Sequence, residues 1–111
     1  MAYDEELAER IRDLLVGATD LTEQKMFGGL AFLLGGNMAV CVSRQGGILV
    51  RTDPAERGQL LASTAAFPVE MGGRTMRGFI RVEADDVRTE QQLATWVTHG
   101  TTYARALPAK R

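Results

Sequence analysis

Residues 30–42, LAFLLGGNMAVCV, decide the fold of this chain. Two runs of strand-forming residues flank the triplet Gly35-Gly36-Asn37. A two-residue turn between antiparallel strands needs positive φ angles, which glycine and asparagine adopt at low cost. The stretch therefore predicts a β-hairpin, and with it an antiparallel sheet.

Further strands extend this hairpin in both directions along the chain. Gln45-Gly46-Gly47 is a second turn signal and leads into a strand at 48–51, and a short strand at 24–27 precedes the hairpin. A second hairpin is predicted from 67–71 and 76–82 across Gly72-Gly73. Pro68 predicts an edge position for its first strand, because proline cannot donate a hydrogen bond to a ladder.

Three helices surround the strands in sequence. The first covers residues 4–16, with Asp4 as N-cap and an apolar stripe that includes Leu7 and Ile11. The second opens at Asp53-Pro54, and the third begins at Thr89 and is ended by Pro108. The fold class is therefore α+β, an antiparallel sheet of about five to six strands with three helices in the order α-β-β-β(β)-α-β-β-α.

Composition limits the class of protein. The chain has 111 residues, 45% of them hydrophobic and 24% charged, so we expect a single ordered domain over 1–111. A formal net charge of -1 argues against a nucleic-acid binder held by bulk charge. One cysteine, an acidic N-terminus and short apolar runs predict a soluble cytoplasmic protein that does not meet the membrane.

The central hairpin is apolar on both of its faces. Leu30 and Phe32 share one side with Leu34, whereas Ala31 and Leu33 share the other. A solvated antiparallel sheet shows polar residues on its outer face, so this sheet needs cover on both sides. We expect a homodimer that forms through the sheet. The alternative is a monomer whose helices divide between the two faces.

Residues that carry chemistry are few. His99 is the single histidine, and Cys41 is the single cysteine and lies within an apolar strand. One histidine and one cysteine do not make a structural zinc site. The acidic cluster of Glu83, Asp85 and Asp86 is explained by capping and helix-dipole interactions. We therefore expect no enzyme activity, no metal and no cofactor.

Basic residues concentrate in the second hairpin. Residues 1–23 carry seven acids and two bases, whereas the remainder carries seven acids and eleven bases. Arg74, Arg77 and Arg81 form a candidate basic patch, and alternation puts Arg77 and Arg81 on one strand face with Phe79. Such a face could contact nucleic acid. The alternative is a solvated face whose charges pair with the acidic first helix.

Three short segments together indicate a family. They are Lys25-Met26-Phe27-Gly28-Gly29, the turn that ends in Asn37-Met38-Ala39, and Leu49-Val50-Arg51. In this order they resemble the N-terminal domain family of TfoX (Sxy), bacterial regulators of natural competence, over residues 5–107. The resemblance implies a small α+β domain with an antiparallel sheet. It also implies a role in competence-gene transcription alongside the cyclic-AMP receptor protein.

The regulators of that family carry a second, C-terminal domain, and we expect none in this chain. We therefore expect a stand-alone domain of TfoX N-terminal type that acts as a protein-interaction module in transcriptional or competence-type regulation. Its possible partner is a transcription regulator.

The segment 25–29 has two interpretations. Met26 and Phe27 can fill the core while Gly28 and Gly29 form a bulge or turn. Alternatively, the glycines let a ligand or partner backbone approach closely, with Lys25 and Arg51 as nearby cations. The residues thus leave three hypotheses, in this order: protein interaction, nucleic-acid contact through the candidate basic patch, and a small-ligand binder or enzyme near Lys25 and Arg51.

Overall fold

The computed structural model describes residues 3–26 and 28–109. Phe27, which the sequence places at the end of a strand and among the candidate interaction residues, lies outside the described residues. Within these residues the chain forms three α-helices and six strands in the predicted order. The elements are α1 (Glu5–Leu14), β1 (Leu21–Met26), β2 (Gly29–Leu34), β3 (Asn37–Val42), β4 (Ile48–Arg51), α2 (Pro54–Ser63), β5 (Phe67–Met71), β6 (Arg74–Val82) and α3 (Glu90–Ala106).

The six strands form one antiparallel sheet in the order β1-β2-β3-β4-β6-β5. The predicted α+β class is confirmed. Pro68 does lie on an edge strand, because β5 pairs only with β6 within this sheet. The strand predicted at 24–27 begins earlier, at Leu21. Its central residues are exposed, so the sequence carries no apolar alternation that would indicate its start.

The hairpin at 30–42 has the predicted turn. Leu34 pairs with Asn37, and the two residues between them, Gly35 and Gly36, both adopt positive φ angles. Residues with a Cβ adopt this conformation at a cost. The two glycines therefore fix where β2 ends and β3 begins.

The helix starts follow from side-chain caps. The Asp4 carboxylate accepts a hydrogen bond from the Leu7 amide, and the Asp53 carboxylate accepts one from the Ala55 amide. Thr89 and Gln92 cap α3 reciprocally. All three helix starts lie where the sequence predicts them. The 3-10 helix at Ala84–Val87, just before α3, was not predicted.

All three helices pack against the same face of the sheet, which we call the helix-covered face. Its core joins Ile11 of α1 and Leu93 of α3 to Phe32 and Val40 of the central strands. Leu60 and Leu61 of α2 pack against this same core. The alternative of a monomer whose helices cover both faces is therefore wrong in its placement of the helices, because none of the three described helices lies on the other face.

Helix α3 lies close to the backbone of β3. A Cβ added at Gly100 would lie 2.4 Å from the carbonyl oxygen of Ala39. The Oγ1 of Thr52, at the end of β4, is 2.9 Å from Nε2 of His99 on the same helix. Helix and sheet are thus joined by a close backbone contact and a partly buried polar contact. Of the helices in the described ranges, none combines the length and apolar character that crossing a bilayer requires.

Candidate functional site

The opposite face of the sheet, which we call the helix-free face, carries a second apolar cluster. Its centre consists of buried strand residues: Ala31, Cys41, Leu49, Val69 and Phe79. Half-buried side chains pack around this centre: Met26, Leu33, Met38 and Met76. Every member of the cluster belongs to a strand, so within the described residues no helix contributes to it.

The centre of the helix-free face is buried within the single chain. Met26 of β1 and Pro68 of β5 belong to opposite edges of the sheet, and both line one concave cavity of about 840 Å3. The cavity therefore extends across the sheet from one edge to the other, and Cys41 at its floor is only 1% exposed.

This burial changes the argument for a partner. The sequence predicts that a partner chain must cover the sheet face that the helices leave open, but the single chain already removes the centre of that face from solvent. The half-buried groups that pack around that centre are Leu33 and the methionines Met26, Met38 and Met76. Methionine adapts its shape to different partners and is frequent at promiscuous binding surfaces. The helix-free face is thus suited to docking, although shielding alone does not require it.

Arg81 forms a fixed cationic wall of the concave cavity. Its guanidinium donates to Glu83 Oε1, to Ser43 Oγ and to the carbonyl oxygen of Gly46, at 3.1, 3.1 and 2.7 Å. These bonds join β6 to the loop between β3 and β4. Arg81 therefore pairs with Glu83. The alternative interpretation of the basic strand face, in which its charges pair with the acidic first helix, does not hold for Arg81.

Gly28 and Gly29 make room for the chain's own atoms. A Cβ at Gly29 would lie 2.1 Å from the carbonyl oxygen of Val42, so β2 and β3 could not approach each other as they do. A Cβ at Gly28, where φ is +76°, would lie 2.6 Å from Cδ of Arg44. The close approach that the functional interpretation assigns to a ligand or partner is made here by Val42 and Arg44. This supports the structural interpretation of the glycine pair.

Arg44 is the exposed cation at the mouth of the concave cavity. Within residues 3–26 and 28–109 it takes part in no ion pair. Sequence reasoning missed it, because only the turn signal at Gln45-Gly46-Gly47 was considered in this region. The signal that could have found it is a charged residue two positions after an apolar strand and two positions before a glycine pair.

Lys25 and Arg51, proposed as nearby cations, are not neighbours. Lys25 pairs with Leu30, whose side chain lies in the helix-covered core, whereas Arg51 pairs with Phe79 of the helix-free face. The two cations therefore lie on opposite faces, with β2 and β3 between their strands. The Arg51 guanidinium carbon is 4.9 Å from the centre of the Phe79 ring, a cation–π contact.

Arg74, Arg77 and Arg81 do not form one compact patch. Arg74 and Arg77 are exposed, but Arg81 is partly buried and its donors serve Glu83, Ser43 and Gly46. Arg81 lies seven residue spacings along β6 from Arg74, which corresponds to about 24 Å. Phe79 and Arg81 do share the predicted face, because they pair with Arg51 and Leu49.

Cys41 and His99, the two residues with catalytic potential, both pack against other side chains of the fold. Burial raises the pKa of the Cys41 thiol to about 11, so it remains protonated near neutral pH. His99 is half-buried between Thr52 and an edge-on contact with Trp96. Within the described part of the chain, no three histidine, cysteine or carboxylate side chains converge on a point that could hold a metal ion.

The fold and this face define a small α+β domain with one helix-covered and one helix-free sheet face. A family model described as the TfoX N-terminal domain matches residues 13–104, so the chain belongs to that family. No curated protein matches the chain, and no solved structure matches it.

Proposed function

We propose that this chain is a non-enzymatic protein-interaction module in bacterial transcriptional or competence-type regulation. The observation that carries this proposal is the helix-free face, where half-buried methionines surround a buried apolar centre. Membership of the TfoX N-terminal domain family supports the regulatory context. The proposed partner is a transcription regulator, and the cyclic-AMP receptor protein is the one that the family resemblance implies.

The docking surface is the rim of the helix-free face. Met38 and Leu33 belong to neighbouring strands and contact the buried centre while staying partly exposed. A partner that covers them gains apolar burial worth about 25 cal/mol per Å2. Arg51 and Arg77, which lie in β4 and β6, would add selectivity for a partner with acidic groups at the edge of its apolar contact.

The test is a binding titration of the purified chain with the host's cyclic-AMP receptor protein, measured by biolayer interferometry. Met38→Glu places a charge in the docking surface, and we expect it to weaken binding at least tenfold. Gln91→Glu is the matched control, since it makes the same charge change at an exposed position of the helix on the opposite face. A substitution of Phe32 would not test docking at this surface, because that side chain is fully buried under the helices.

Both variants must first show one cooperative thermal transition. Equal affinity of the Met38→Glu and Gln91→Glu chains would contradict the assignment of the surface. Absence of binding by the parent chain would contradict the proposed partner.

A second candidate function is the binding of a small organic anion in the concave cavity. Arg44 favours it, being an exposed cation without an ion pair in the described ranges, above a floor of Cys41 and Leu49. A thermal-shift screen with aromatic and aliphatic carboxylates, and with their neutral amides, tests it. Stabilisation by the carboxylates alone, lost in Arg44→Gln, supports anion binding, and equal responses of acids and amides contradict it.

A further inference from the structure

The two edges of the sheet differ in their capacity to pair with another strand. At the β5 edge, Pro68 lacks an amide donor, and the register with β6 shifts between Pro68 and Glu70. At the β1 edge, six consecutive residues from Leu21 to Met26 pair with β2 without any shift, and none is proline. The β1 edge is therefore regular enough to accept a further strand.

The backbone of β1 has outward-facing hydrogen-bonding groups at alternate residues. The amide of Gly35 donates to the carbonyl oxygen of Asp20, which makes this pair a hydrogen-bonded one in the β1–β2 ladder. Hydrogen-bonded and non-hydrogen-bonded pairs alternate along an antiparallel ladder. The N–H and C=O groups of Leu21, Glu23 and Lys25 therefore point away from β2, and no strand of the described residues pairs with them.

We propose that two copies of this chain join through their β1 strands, antiparallel about a twofold axis at Gln24, to form one continuous sheet. This register brings Glu23 of each copy opposite Lys25 of the other, so opposite charges face each other twice. In this register the outward-facing N–H and C=O groups of Glu23 in one copy meet those of Lys25 in the other, so the two strands can form backbone hydrogen bonds. The inference assigns a surface to the homodimer that the sequence predicts, at the edge of the sheet and not on its apolar face, and it does not depend on the partner named in the proposed function.

The charges along β1 distinguish this register from its neighbours. A twofold axis at Glu23 would oppose two carboxylates, and an axis at Lys25 would oppose two ammonium groups, both of which are unfavourable. Lys25 takes part in no ion pair with any residue of the described ranges. Glu23 is held in place by Arg12 of α1, at 2.7 and 2.8 Å. A carboxylate has lone pairs enough to accept from a second cation as well.

The test is site-directed disulfide formation in the full chain. At a twofold axis the two Gln24 residues form a non-hydrogen-bonded pair with Cα atoms about 4.5 Å apart, which is within the range for a disulfide. Gln24→Cys should therefore give a covalent dimer under mild oxidation. Thr22→Cys is the matched control, since its two copies would lie about 13 Å apart and should not cross-link. The native Cys41 is buried and does not interfere.

Sedimentation of charge variants provides the second measurement. Lys25→Glu should weaken the dimer at least tenfold, whereas Lys25→Arg should leave its dissociation constant within twofold of the parent. A monomeric parent chain at micromolar concentration, or equal cross-linking of the Gln24→Cys and Thr22→Cys variants, would overturn the proposal. Either result leaves the titration with Met38→Glu as a separate test, so failure of edge pairing is distinguishable from failure of partner docking.

Discussion

Substitution of Gly100 by alanine tests the packing of α3 on the sheet. In an exposed helix interior, glycine to alanine stabilises a protein by roughly 0.5–1 kcal/mol, because the unfolded chain loses conformational freedom. At Gly100 the new methyl would lie 2.4 Å from the carbonyl oxygen of Ala39 and 3.3 Å from Cγ1 of Val50. Because the first of these atoms belongs to the backbone of β3, helix and strand must separate to accommodate it.

Overpacking of this kind costs roughly 1–3 kcal/mol, which exceeds the gain in helix propensity. We expect Gly100→Ala to lower the free energy of unfolding by about 1–2 kcal/mol, and Tm by about 4–8 °C for a domain of this size. The matched control is Gly58→Ala in α2, where an added Cβ meets no atom within 4 Å. We expect that variant to gain roughly 0.5–1 kcal/mol.

Urea titrations followed by circular dichroism measure both variants on the same scale. Opposite signs of the two changes support the close seating of α3 on β3. A Gly100→Ala chain as stable as the Gly58→Ala chain would refute the reasoning, because Gly100 would then behave like any exposed helix glycine.

Three further predictions concern individual polar groups. Thr52→Val should destabilise the chain by about 1–2 kcal/mol in urea titrations, because it leaves the half-buried His99 without its partner; an unchanged midpoint would contradict a structural role of this pair. The Arg12 guanidinium, chiefly through its hydrogen bonds, holds the pKa of Glu23 below its usual value. Glu23 therefore stabilises the fold fully at pH values above its unfolded-state pKa of about 4.3. This stabilisation is lost as the pH falls through the folded-state pKa of Glu23. The difference in unfolding free energy between the parent and Glu23→Gln should thus be largest near neutral pH and vanish in acid, and a difference that is constant with pH would count against the ion pair. Cys41 should resist a thiol reagent at about pH 8 in the folded chain and react at once in urea, because burial raises its pKa to about 11; rapid labelling of the folded chain would show that the floor of the cavity is open.

Local sequence signals predicted most of the fold. Gly35-Gly36-Asn37, Pro68 and the caps at Asp4, Asp53 and Thr89 act over a few residues, so the positions of the turn, the edge strand and the helix starts could be derived from the sequence. The α+β class followed from the short connections between strands. The start of β1 could not be predicted, because its exposed residues show no apolar pattern.

The candidate site depends on distant contacts and was less predictable. Strand order places β2 and β3 between Lys25 and Arg51, and no local pattern specifies strand order. Two of the three partners of Arg81 lie 38 and 35 residues earlier in the chain, at Ser43 and Gly46. The concave cavity is likewise lined by residues of all six strands, from Met26 of β1 to Val69 of β5, so no local pattern specifies it.

The docking role of the helix-free face is tested most directly by NMR of the chain labelled at its methionine methyls and its backbone amides. Met26, Met38 and Met76 pack around that face. When the host's cyclic-AMP receptor protein is added, we expect their methyl resonances to shift or broaden while the amides of α3 stay unchanged. Shifts confined to α3, with the three methionine methyls unaffected, would contradict the account.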